Sequence, residues 1–224
     1  VLTYKTADPE KGEFRDRGIA TILDYMIDAE KSMVDSLAER GILNSRAYLV
    51  KDGSLEYAPM QNGSKHANLK DFKNSYQYVL GVSKSFNPEN CKDSSGKANA
   101  GAIIELKQFH RTPVVRIKVA RIPDIEFAVW YIRLRKFPEQ TKTPFDGVIK
   151  VQKIMVTDKE TARDRGCGLD TDDVNMLSAT LINERCPTCY GSDLRYANHL
   201  YPVYLTESYI KSLYLSSDVF LSLF

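Results

Sequence analysis

Long apolar runs are missing from this 224-residue chain. None approaches the roughly 20 residues that a membrane-spanning helix needs, and the opening VLTYKTADPEKGEF has no signal-peptide core. A cytoplasmic protein without membrane contact is expected. An excess of one charge is missing too: 31 Lys+Arg stand against 29 Asp+Glu, a net charge of +2, so any nucleic-acid surface has to be local. Cysteines are few, at four. Cys186 and Cys189 make one CxxC in RCPTCYG, while Cys91 and Cys167 offer no matching spacing. One CxxC is at most half a zinc site, so reduced, structural thiols are expected. Repeats and low-complexity tracts are absent as well, which at this length leads to a single domain over residues 1–224.

What is present is ordinary globular material, 43% hydrophobic and 27% charged. Apolar residues at Ile19, Ile22, Leu23, Met26, Met33, Val34 and Leu37 predict a helix from about Arg15 to Arg40, stopped by Gly41. Strands are expected at Ala47–Lys51, in QYVLGVSKSF ending near Lys84, and at Val114–Ala120, Phe127–Arg135 and Val148–Val156. The polar NPENCKDSSGKANAGA reads as a loop. A helix is expected from Asp170 or Thr171, with Val174, Leu177 and Leu181 on its apolar face, and a last one capped by Thr206 and running through Leu215. Helix, strands, helices in that order predict an α/β fold, a mixed sheet flanked by helices.

Two stretches, RTPVVRIKVARI and WYIRLRKF, alternate cations with apolar residues. Such strands carry one basic face, which makes Arg133 and Arg135 candidates for nucleic-acid contact; a solvated outer sheet face is the other reading. The stretch YLVKDGSLEY is likewise two-sided. Asp52-Gly53 is a hairpin signal with SLEYAPM as the return strand, or the end of a strand that delivers a carboxylate to a site.

The first helix carries the most informative residue. Steps of four and three along it give Ile19, Leu23, Met26, Glu30, Met33 and Leu37, so Glu30 stands where the pattern wants leucine. A buried carboxylate needs a cation, a set of donors or a metal. In the following strand Asp52 falls on the side of Tyr48 and Val50. If the helix packs there, two hard oxygen ligands converge, which suits Mg²⁺ or Mn²⁺. The alternative is a salt bridge from Glu30 to a nearby Lys or Arg, with Asp52 only turning the chain.

Four stretches, YMIDAE, YLVKDGSLEY, LGVSKSF and ANHLYPVYLTESYIKS, resemble in this order motifs of the NurA nucleases, partners of the HerA hexameric DNA translocase. The resemblance implies an RNase H-like sheet, a ring-shaped homodimer around DNA, and a Mn²⁺- or Mg²⁺-dependent deoxyribonuclease. Such an enzyme works with a HerA-type ATPase in DNA end resection or phage defence. It implies metal ligation by Glu30 and Asp52, Lys84 beside the scissile phosphate and Tyr201 positioning substrate; His199, near the place where the family's His is missing, is a candidate for proton shuttling or a histidine that orders the helix N-terminus. Two departures accompany it. The family's further metal-binding Asp lies on a strand upstream of the helix, before the start of this chain, so that either the most N-terminal strand precedes Val1 or the catalytic set is incomplete, and Tyr209 stands where the family has His. A catalytically impaired DNA-binding or scaffold subunit is therefore the alternative. The C-terminal YLSSDVFLSLF offers apolar contact surface.

Overall fold

The computed structural model of the chain describes residues 14–56, 75–87, 100–119, 122–135, 143–155, 171–185 and 200–213. In chain order these form α1 (Phe14–Glu39), β1 (Leu49–Asp52), a 3₁₀ turn (Ser75–Tyr78), β2 (Val79–Ser83) and α2 (Ala100–Ile104). There follow β3 (Val115–Val119), β4 (Ile122–Arg133), β5 (Val148–Ile154), α3 (Thr171–Asn183) and α4 (Tyr201–Ser212). The expected tail contact, YLSSDVFLSLF, falls outside the described residues, as do His199 and all four cysteines.

One five-stranded sheet runs in the order β1-β2-β5-β4-β3. β3, β4 and β5 make an antiparallel meander; β2 joins β5 antiparallel and β1 joins β2 parallel. This is the mixed, helix-flanked α/β sheet that the sequence predicts. Side chains alternate between two cores. On one face Val79, Phe127, Val129 and Ile154 lie under Ile27 and Val34 of α1 and Ile103 of α2. On the other, Leu80, Val82, Trp130, Ile132 and Val151 lie under Val174, Leu177 and Leu181 of α3 and Val203 of α4. Strands covered on both faces become near-continuous apolar runs, which is why β4 reads IEFAVWYI over its described side chains. The buried Trp130 keeps its indole N–H satisfied by donating to Ser178 Oγ at 3.1 Å.

Helix α1 ends as predicted. Gly41 sits at φ +67°, and the Ile42 N–H closes onto Leu37 O at 3.0 Å, a left-handed C-terminal cap. Its buried stripe differs from the expected one by a residue. Ile27 and Val34 face the sheet with Glu30 between them, whereas Ile19, Met26 and Met33 are 47%, 52% and 51% exposed. The sheet is too narrow at β1 to cover both sides of the helix, so Ile22 and Tyr25 also face outward.

Asp52-Gly53 does not turn a hairpin. Gly53, at φ +97°, donates its N–H to Val82 O at 2.8 Å, continuing the parallel ladder for one more rung. The chain then folds over β2, where Leu55 is fully buried. A Cβ on Gly81 would meet Leu55 Cγ at 2.8 Å and Gly53 O at 2.9 Å, so glycine is what permits this crossing. The last helix begins at Tyr201 with Pro202 in its first turn. Thr206, expected as its cap, lies inside it and bonds back to Pro202 O.

Candidate functional site at the Asp52 end of the sheet

The strand directions bring the C-terminal ends of β1, β2 and β4 together with the N-terminal end of β5. Asp52 pairs in register with Val82, and Lys84 follows two residues later, on the same face by strand alternation. From the opposite strand Lys150 pairs with Ser83.

Alternation also corrects the expected geometry of β1. Leu49 packs with the α1-side core and Val50 with the α3-side core. Lys51 therefore faces α1, and Asp52 faces the other way. The ammonium of Lys51 lies 3.5 Å from the Glu30 carboxylate, with the two side chains 18% and 38% exposed. It also donates to the carbonyls of Asp52 and Ser54. Glu30 thus finds a cation as its compensating partner. At the open side of β1, an edge strand, Glu30 and Asp52 both line one pocket of about 230 Å³ with Met33, Val34 and Lys51.

Next to this pair is a denser network that the sequence reading missed. Glu56 Oε1 accepts from Lys150 Nζ at 2.9 Å and from Gln152 Nε2. Gln152, fully buried, accepts at Oε1 from Ser54 Oγ at 2.8 Å and from the Leu55 N–H at 3.2 Å. Burial pushes the Glu56 carboxyl up, but the Lys150 ammonium, Gln152 and Ser54 outweigh it and hold it below the usual carboxylate value. The signal was present in VIKVQKI, where Lys150 and Gln152 interrupt an apolar strand at a two-residue spacing on one face.

On the α3/α4 side Lys84 is exposed and lies 3.5 Å from Glu207 of α4. Glu207 also pairs with Lys211 at 3.4 Å. Tyr201, 42% exposed, opens α4 with its N–H on Glu184 O at 2.7 Å. Of the two arginines expected on a basic face, Arg133 is corrected. It is 1% exposed, and its Nη2 donates to the carbonyls of Ile103, Ile104 and Pro144. A guanidinium spent on three main-chain oxygens is a structural clamp, not a phosphate contact. Arg135 is partly exposed at the end of β4.

Whether these residues suit Mn²⁺ or Mg²⁺ turns on donor chemistry. Two carboxylates lining one open pocket match the way such ions are held, through one or two protein carboxylates, several waters and substrate phosphate. Among the described residues no group of three or more His, Cys, Asp or Glu side chains stands ready to hold an ion, and an ion here has to share Glu30 with Lys51. The pair fits a hydrated ion completed by substrate; it does not make a closed metal centre.

No family model matches the chain, and no curated protein sequence matches it. Among solved structures it is similar to the NurA nuclease from Sulfolobus solfataricus, at a TM-score of 0.43 and 13% identity, over 80% of this chain and 59% of that one. The chain thus spans less than two thirds of that nuclease. Figures this low carry no function from one protein to the other. No helix among the described residues is long and apolar enough to cross a membrane.

Proposed function

We propose that the chain is a NurA-like, metal-dependent DNA nuclease that hydrolyses phosphodiester bonds at the Asp52 end of its sheet. The observation that supports this reading is that Glu30 and Asp52 line one pocket at the sheet end where Lys84 follows β2, on the side of α4. Glu30 and Asp52 would hold the ion, which when bound lowers the pKa of a water and offsets charge developing on the phosphate. Lys84 exchanges Glu207 for the scissile phosphate and holds it as a fixed cation. The exposed Tyr201 orients the substrate. Lys51 holds the Glu30 side chain in place while no substrate is bound. The proposed roles of His199 and of a HerA-type ATPase partner rest on the sequence resemblance alone. The outward apolar side of α1, with Ile22 and Tyr25 both 61% exposed, is the surface proposed for a second copy of the chain.

The test is cleavage of end-labelled DNA with Mn²⁺. Asp52→Ala is expected to lose activity by about 100-fold or more while keeping a wild-type melt. Full activity in that variant overturns the reading. The Glu30–Lys51 pair favours a second reading, a scaffold that grips DNA without cutting it. Wild-type protein that binds DNA but leaves it intact with either ion would establish that alternative.

A further inference from the structure

An exposed aromatic in a costly backbone conformation calls for an explanation. Phe109 is the one non-glycine among the described residues with positive φ, at +63°, and 44% of it faces solvent. Bulky residues rarely adopt this region. The segment is nonetheless held firmly: the Phe109 N–H donates to Arg133 O at 2.8 Å, the Arg133 N–H donates to His110 O at 3.1 Å, and Arg111 bridges to Ile132. Burial cannot be the reason, since the ring remains open to solvent. What the conformation does is hold the ring against a cation: the guanidinium carbon of Arg185, from the end of α3, lies 4.6 Å from the Phe109 ring centre.

A second exposed aromatic adjoins them. Arg185 forms a bridge with Leu200, and the Tyr201 N–H bonds to Glu184 O at 2.7 Å. The backbone therefore places Tyr201 next to the Phe109–Arg185 stack. It lies at the same end of the sheet as Asp52, since Arg133 closes β4 where Val148 opens β5. Three strand spacings separate β1 from β4, about 14 Å, a span that a few extended nucleotides cover.

We infer that Phe109, backed by Arg185 and flanked by Tyr201, is a base-stacking platform for single-stranded DNA leading to the Asp52 end of the sheet. The choice of nucleic acid as occupant rests on the proposed function; the platform itself does not depend on cleavage. Flat π-faces and guanidinium planes take any base, so recognition is indifferent to sequence. Charge contributes little here. Lys107 and Arg111 are matched in number by Glu105 and Glu184, which leaves Arg185, and Arg111 is engaged by Asn175 Oδ1 at 2.9 Å. Stacking has to carry the affinity, and the salt dependence should be shallow, with a log–log slope of about −1 to −2.

The experiment is anisotropy of a fluorescein-labelled oligo(dT) in EDTA, which separates binding from cleavage. Phe109→Gly suits the left-handed backbone, so it should keep a cooperative melt while lowering affinity about tenfold. Phe109→Trp should bind as tightly as wild type, and Arg185→Ala should weaken binding. Undiminished affinity in both Phe109→Gly and Arg185→Ala, or no binding of oligo(dT) by the wild type, overturns the platform. Retention of oligo(dT) binding by Asp52→Ala together with loss of it in Phe109→Gly supports the platform whether or not the protein cuts DNA.

Discussion

The two ends of this sheet treat lysine in opposite ways. At the Asp52 end Lys51, Lys150 and Lys84 each meet a carboxylate, on Glu30, Glu56 and Glu207. At the other end Lys153 is 7% exposed, and its ammonium bonds to the main-chain carbonyl of Gln77. Burial there pulls the Lys153 pKa down to about 8, against a smaller upward pull from Asp173. The same carboxylate, after burial itself, raises the hydroxyl of Tyr48, whose ring meets Tyr78 edge-on. One end therefore holds charge in matched, partly wet pairs that substrate can exchange. The opposite end holds a buried charge at a cost. This contrast is why the proposed function is put at the Asp52 end.

Replacing the buried lysine should produce the largest stability effect. Its folded pKa lies below its unfolded value, so folding penalises the charged form below about pH 8, and the penalty is relieved as pH rises toward 10.5. Lys153→Met should gain about 1–2 kcal/mol at pH 7, after about 1–2 kcal/mol is lost by orphaning the Gln77 carbonyl. The gain should shrink between pH 8 and 10. Above 10, ionisation of Tyr48, opposed in the fold, lowers stability again. Urea titrations at pH 7 and 9.5 measure this; an equal or unstable variant at pH 7 erases the contrast between the ends.

A smaller effect of opposite sign is expected at the Asp52 end. Glu56→Gln should cost about 1 kcal/mol at pH 7, between the values of exposed and buried pairs. The folded carboxyl is depressed, so its contribution is complete above the ordinary carboxylate range and is lost as pH falls through the lower folded value. Acid melts of wild type and variant should converge as pH falls below the ordinary carboxylate range.

Much of the architecture was legible because local chemistry and tertiary packing agreed. Gly41 stops α1 and Tyr201-Pro202 opens α4 with the backbone geometry that these residues favour. The five strands fall within a few residues of where the apolar runs put them. Asp52-Gly53 misled as a hairpin because the letters specify a positive φ, which Gly53 has, but not which strand its N–H will meet. Glu30 was correctly put on the sheet-facing stripe, yet periodicity could not say that Lys51 rather than Asp52 would face it. Arg133 looked basic and exposed because alternation does not reveal that α2 and Pro144 would close over it. The Glu56 network joins residues nearly 100 positions apart, at separations of 94 to 98, and no local window contains it. The α2 helix, at five residues, is too short for periodicity to register.

The most direct test of the central claim is a Mn²⁺ titration followed by electron paramagnetic resonance in the presence of a non-cleavable phosphorothioate oligonucleotide. The account predicts a bound Mn²⁺ signal in the wild type, lost in Asp52→Asn and strengthened in Lys51→Met, where Glu30 no longer shares its charge. A bound signal unchanged by Asp52→Asn, or none in the wild type, would contradict it.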